Sequence, residues 1–154
     1  MAPTVIEGIE GAKALVGQEL GVSSWYEVTQ EKINAFADAT GDHNFIHVDE
    51  EAAAKTPFGS TIAHGLFTLS LGPMFTYEIM TATNVTFAVN YGYDKVRFPA
   101  PVLVNSQVRM SAVLSTVDEV PGGIQAMITQ TFEVEGQEKP VCVAEQLVRF
   151  FGEA

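Results

Sequence analysis

From Val85 onward the apolar residues recur at every second position instead of every third or fourth. In Val102–Val120, the residues Val108, Met110, Ala112 and Leu114 fall on one face and Arg109 and Ser111 on the other, the period of a half-buried strand. Ile124–Val134 and Val141–Phe151 alternate in the same way. Pro121-Gly122-Gly123 and Glu135-Gly136-Gln137 separate these segments as turns. Val85–Phe98 is also β-like, and Pro99 and Pro101 stop it because proline cannot donate to a ladder. The second half of the chain therefore reads as a run of long antiparallel strands.

The first half has helical texture. Val5, Ile9, Ala12 and Val16 have helical spacing, ended by Gly17. Trp25–Val28 reads as a short strand. Thr29 is a good N-cap for a helix over Gln30–Thr40 with Ile33, Phe36 and Ala37 on one face, and Gly41 suits its C′ position. Asp49–Lys55 reads as a short helix with acids in its first turn, and Pro57-Phe58-Gly59-Ser60 as a loop. Ile62–Met80 is the longest helical segment. It is apolar on most sides, so it is expected to be the buried helix that the sheet wraps. The class is α+β. The 154 residues form one domain, 1–154, with 1–19 as an N-terminal helical extension.

Composition excludes several functions. Eight basic residues against 19 acidic ones give a net charge of −11, which argues against nucleic acid, whose binding rests on Lys and Arg neutralising phosphates. No apolar run approaches the ~20 residues of a membrane span. The start, Met1–Gly17, lacks a basic segment followed by an apolar core, so no secretion signal is read there. Cys142 is the only cysteine. It excludes an internal disulfide, fits a reducing cytoplasm, and reads as a buried small hydrophobe rather than a nucleophile.

The chemistry is concentrated in Gly41-Asp42-His43-Asn44-Phe45-Ile46-His47 and in Ala63-His64-Gly65. Asp42 and His47 lie five residues apart across a turn, so a carboxylate and an imidazole can reach one water. A backbone N–H at a helix start, here Gly65, can hold a carbonyl oxygen that becomes negative, and glycine lets that carbonyl approach closely. Asn44 suits a turn-fixing role, since its side chain bonds nearby backbone. Taken alone, Gly, Asp and Asn are ordinary turn formers; it is His47 and the downstream Ala63-His64-Gly65 that favour a site. His64 reads as a hydrogen-bonding histidine beside the helix start. His43 and His47 could hold a metal only on one helix face, and the segment reads as a turn, so no metal and no cofactor are expected.

These residues resemble the MaoC-like dehydratase family, the (R)-specific enoyl-CoA hydratases, whose signature is a Gly-Asp-x-Asn-Pro-x-His turn followed by Ala-His-Gly at the start of the central helix. Val96-Arg97-Phe98-Pro99-Ala100-Pro101-Val102 is similar to the strand and turn that follow that helix in the family. The resemblance spans about residues 20–151. It implies a hot-dog fold, an antiparallel sheet wrapped around one long central helix, and a homodimer with the two sheets joined into one. It also implies hydration of a trans-2-enoyl-CoA to the (R)-3-hydroxyacyl-CoA. Asp42 and His47 would be the catalytic pair, their acid and base roles interchangeable, and Gly65 the oxyanion N–H. Asn44, Phe45, His64, Lys95 and Arg97 would line the substrate, with Lys95, Arg97 and Arg109 meeting coenzyme A phosphates. Arg97 reads equally as a residue fixed in the sheet by a carboxylate.

Two departures stand out: Phe45 occupies the usual proline position, and Gly72-Pro73 stands near where some hydratases carry a serine on the central helix. A hot-dog thioesterase and a non-catalytic acyl-thioester-binding protein are the alternatives, because one fold hosts many functions.

Overall fold

The protein was analysed as a computed structural model, described here over residues 2–152. Strand β1 (Thr4–Glu7) leads into helix α1 (Gly8–Ala14), and β2 (Glu19–Val22) and β3 (Tyr26–Glu27) follow. Helix α2 (Gln30–Thr40) is succeeded by two single-turn helices, α3 (Phe45–Val48) and α4 (Glu50–Ala53). Helices α5 (Gly65–Ser70) and α6 (Gly72–Ile79) run into β4 (Met80–Thr83). The chain closes with β5 (Phe87–Arg97), β6 (Gln107–Val120), β7 (Gly123–Val134) and β8 (Cys142–Phe151).

The main sheet has the order β2-β6-β7-β8-β5, all antiparallel, with β3 extending the β6 edge. Alternation sets which face is buried. Val108, Met110, Ala112 and Leu114 of β6 and Ile124, Ala126, Ile128, Phe132 and Val134 of β7 all point into the core. Helices α5 and α6 lie on that face: the Phe75 ring meets Phe132 at 6.2 Å between centroids, and a Cβ on Gly21 would stand 3.1 Å from Ile79 Cγ2. This is the sheet-around-a-helix arrangement of the hot-dog fold.

Several local readings differ from the sequence expectation: β6 starts at Gln107 and not at Val102, and Phe45–Val48, at the end of the segment read as a turn, is a single helical turn. Val5 and Ile6 belong to a strand paired in parallel with β4, not to a helix. Both are β-branched, and Gly8, with φ of 65°, turns the chain before α1 can extend backward. The segment 62–80 is not one long helix. It starts at Gly65 and is interrupted at Leu71, where the Leu71 N–H bonds Thr68 O at 3.1 Å, three residues back. Pro73, which has no N–H, sits in the first turn of α6, where none is needed. Nor is this helix pair buried all round: Leu66, Met74 and Tyr77 are exposed, because the sheet covers one face only.

Cys142 is fully buried, and burial pushes its thiol up to about 12. Among the described residues no helix is long and apolar enough to cross a membrane.

Candidate active site

The site is built where three short segments end. Thr29 caps α2 by accepting from Lys32 N–H, and Gly41, in the left-handed region at φ 82°, closes it with its N–H on Ala37 O. Asp42 follows at once. Its Oδ1 accepts from Asn44 N–H at 3.2 Å, and Asn44 Oδ1 accepts from Ile46 N–H at 3.3 Å, so Asn44 caps α3. A four-residue helix has no stability of its own. Its carbonyls find partners elsewhere: Ile46 O takes Ile62 N–H at 3.0 Å, and His47 O takes the Gln30 side-chain amide at 2.7 Å.

His47 is buried, and each of its polar groups but one is used. Its N–H bonds Asn44 O, its C=O accepts from Gln30, and Nδ1–H donates to Ile62 O at 2.8 Å. A neutral imidazole with Nδ1 as donor carries its lone pair on Nε2. The fold therefore fixes the tautomer and leaves one basic nitrogen.

His64 is also buried. Its Nε2–H donates to the backbone carbonyl of Asp42 at 3.0 Å, which ties the Asp42 turn to the start of α5. Its ring stacks on His47 with centroids 3.8 Å apart and planes 25° apart, and Phe36 covers it at 4.8 Å. Its Nδ1 is a buried acceptor without a partner.

One ligand atom from each of Asp42, His47 and His64 lies within 4.8 Å of the others, a trio that invites comparison with a metal centre. The stacking opposes it. A cation bonds imidazole nitrogen in the ring plane at ~2.1 Å, and two face-to-face rings send their lone pairs alongside each other rather than to one point. What the trio offers is one exposed carboxylate facing one buried imidazole. A water that donates its two hydrogens to that carboxylate and to Nε2 keeps its oxygen lone pairs free.

Gly65 opens α5, and its N–H precedes the first intrahelical bond. A Cβ there would stand 3.0 Å from three carbons of the Phe98 ring, so the ring lies against the Gly65 backbone and would have to move for any larger residue. Beside it is a pocket of about 310 Å³ walled by Phe58, Gly65, Thr68, Phe98, Val102 and Val141. The Thr68 hydroxyl is buried and unpartnered. α5 is only six residues long, so the helix dipole adds little here. A second pocket, of about 320 Å³, lies between α6 and strands β4, β5 and β8; Asp42 and His47 line neither.

The other sequence candidates are spread more widely. Phe45 is half exposed beside the turn. Lys95 and Arg97 are exposed near the end of β5, and the guanidinium of Arg97 bonds the carbonyl of Val96 rather than a carboxylate. Arg109 is engaged already: it pairs with Glu133 and stacks on Trp25, which removes it from the groups free to meet phosphate. His43 is exposed and bonds Asp38. Gln30 and Thr61 were not legible as site residues. One reads as the first residue of a helix and the other as part of a loop, and neither belongs to the turn that carries the site.

A family model described as MaoC like domain matches residues 12–137. The chain is 50% identical over 145 residues to 3-hydroxyacyl-thioester dehydratase Z of Mycobacterium tuberculosis, covering 94% of this chain and 96% of that one. In fold it is similar to R-Hydratase PhaJ1 from Pseudomonas aeruginosa, with a TM-score of 0.73, 21% identity, and 90% and 83% of the two chains covered. The (R)-hydratase from A. caviae involved in PHA biosynthesis gives a TM-score of 0.72 at 23% identity, covering 86% and 94%.

Proposed function

Since the chain belongs to the MaoC-like dehydratase family and is a hydroxyacyl-thioester dehydratase of the (R)-hydratase type, we propose that it interconverts trans-2-enoyl-CoA and (R)-3-hydroxyacyl-CoA. Asp42 and His47 hold the reacting water. In hydration the water oxygen bonds Cβ while its proton passes to the pair, and the pair returns a proton to Cα, so that H and OH are added and nothing else is consumed. Either the carboxylate or the imidazole can be written as the base. The Gly65 N–H stabilises the enolate oxygen that forms on the thioester carbonyl. Delivery of both groups from one side gives syn addition and one stereoisomer.

The observation that carries this reading is the facing of Asp42 and His47 within 4.8 Å, with His47 Nδ1 committed to Ile62 O so that Nε2 alone is basic. His64 supports Asp42 from behind, and Asn44 and Phe45 form the wall of the turn. Lys95 and Arg97 are exposed near the end of β5, the strand that leads into Phe98 of the Gly65 pocket, and among the described residues neither forms a salt bridge, which favours coenzyme A as the carrier. The reading takes residues 1–154 as one domain working in the cytoplasm without a cofactor. It takes the active form as a homodimer joined along β5, whose outer edge pairs with no strand among the described residues and exposes Phe87, Val89 and Tyr91.

Loss of the conjugated enoyl-thioester absorbance with crotonyl-CoA tests this, for wild type beside Asp42→Asn, with free thiol followed in parallel. Absorbance lost with wild type alone and no thiol released is the expected result. Thiol release would mean thioester hydrolysis, and equal rates for both proteins would remove Asp42 from the mechanism.

A further inference from the structure

We propose that Gln30 and Thr61, which lie outside the Gly41–His47 turn, are positioning residues for His47 and set its tautomer; this rests on the Asp42/His47 reading above.

The observations form a closed set of hydrogen bonds. The Gln30 amide nitrogen donates to two groups that can only accept, His47 O at 2.7 Å and Asn34 Oδ1 at 2.9 Å. That fixes the orientation of the amide, so its Oε1 faces Thr61, whose hydroxyl donates to it. Thr61 is almost wholly buried, and its own carbonyl is held by Val104 N–H at 3.0 Å. The next residue, Ile62, gives its N–H to Ile46 O and receives His47 Nδ1–H on its carbonyl. The segments 46–47 and 61–62 are thus laced together by two bonds of their own, and the Gln30–Thr61 link closes the same gap from the side.

α3 is too short to hold His47 without help, and its last carbonyls have no intrahelical partner. Gln30 supplies that partner from the first turn of α2, an element with its own cap and core contacts. Removing the link frees the 46–47 segment to slide against Ile62 O. The Nδ1–H bond then weakens, and the proton redistributes between the two ring nitrogens. A histidine protonated on Nε2 cannot accept from the water. The loss falls on turnover, since neither Gln30 nor Thr61 touches the water or the thioester.

The test uses Thr61→Val, which removes the hydroxyl at nearly constant shape, Thr61→Ser, which restores it, and Gln30→Leu. Turnover with crotonyl-CoA and the ¹⁵N signals of the His47 ring are read on each. Thr61→Val and Gln30→Leu are expected to lower kcat roughly 10²-fold with KM within about twofold. Their His47 signals move from the Nδ1–H pattern towards a mixture of tautomers, and Thr61→Ser behaves as wild type on both readouts. Folded Thr61→Val and Gln30→Leu proteins with unchanged kcat and an unchanged Nδ1–H pattern would overturn the proposal. So would a Thr61→Ser protein as impaired as Thr61→Val. If wild type does not hydrate crotonyl-CoA, the hydratase reading fails, while the ¹⁵N signals still decide whether Gln30 and Thr61 set the tautomer.

Discussion

The sheet and the site are held by different kinds of bond. Strands β6, β7 and β8 are tied by long ladders, with one register shift between Leu114 and Thr116 of β6, and their inward positions are filled by side chains such as Phe132, Ile128, Leu114 and Phe150, all essentially inaccessible to water. The site is assembled from the ends of α2, α3 and α5, two of which have six residues or fewer. It is held by single hydrogen bonds between side chains and backbone: His47 to Ile62, His64 to Asp42, Gln30 to His47. Orphaned polar atoms mark this part of the molecule too, at His64 Nδ1 and Thr68 Oγ1, whereas the sheet has one, at Gln130. Stability resides in buried apolar area. The candidate site holds groups whose bonding is left incomplete, which a fold tolerates only where a rigid scaffold stands behind them.

The contrast can be broken in order of expected effect. Asp42→Asn should cost 10²–10⁴-fold in kcat, the usual worth of a general acid–base group. Its thermal midpoint should stay within error of wild type, because the exposed carboxylate makes only the Asn44 contact; a parallel fall in midpoint would make Asp42 structural. His47→Ala should lose as much activity but melt earlier, since it leaves Ile62 O buried and unpaired. Phe132→Ala should do the reverse and lower stability by about 3–5 kcal/mol in a urea titration, with kcat per folded molecule unchanged. A change in kcat would show that the sheet shapes the site directly.

Gly65→Ala tests the border between the two regions. The new methyl meets the Phe98 ring at 3.0 Å, and that half-exposed ring can swing away, so the fold survives. Turnover should fall by about tenfold as the oxyanion position is disturbed, and Gly65→Ala with Phe98→Ala should recover part of it. No recovery would show that the Gly65 methyl itself obstructs the substrate.

The smallest effect belongs to Cys142. Its folded thiol is raised to about 12 from 9.0, so the neutral form is favoured in the fold. That contribution is complete below pH 9 and is lost as pH climbs from 9 towards 12, where the unfolded chain ionises first. A thiol reagent at pH 8 should therefore react only after unfolding; prompt labelling of native protein would contradict the burial.

Alternation placed β7 and β8 within one residue, because the two faces of each strand meet different media and the composition records it; it also placed the end of β6 at Val120, but the strand starts at Gln107 and not at Val102. The same holds for α2, whose cap residues Thr29 and Gly41 do the work expected of them. Spacing failed at Val5–Val16, where a parallel partner 76 residues away, β4, decided the conformation of Thr4–Glu7. It failed again at the helix after Gly65, whose break depends on how Gly72 sits against the Gln130 amide as well as on Pro73.

The sequence by itself determined the class of the fold and which residue types meet in the turn of the candidate site. Both rest on local statements: which face of a strand is apolar, and which residue types share one turn. Only the tertiary structure decided how the site is held. It took Arg109 out of reach by pairing it with Glu133, left the Arg97 guanidinium on a backbone carbonyl, stacked His64 on His47, and brought Gln30 to the His47 carbonyl with Thr61 behind it. The His47–Ile62 and Gln30–His47 bonds join residues 15 and 17 positions apart through backbone carbonyls that every residue type carries. A backbone acceptor leaves no mark in the composition, so nothing in the order of side chains announces it.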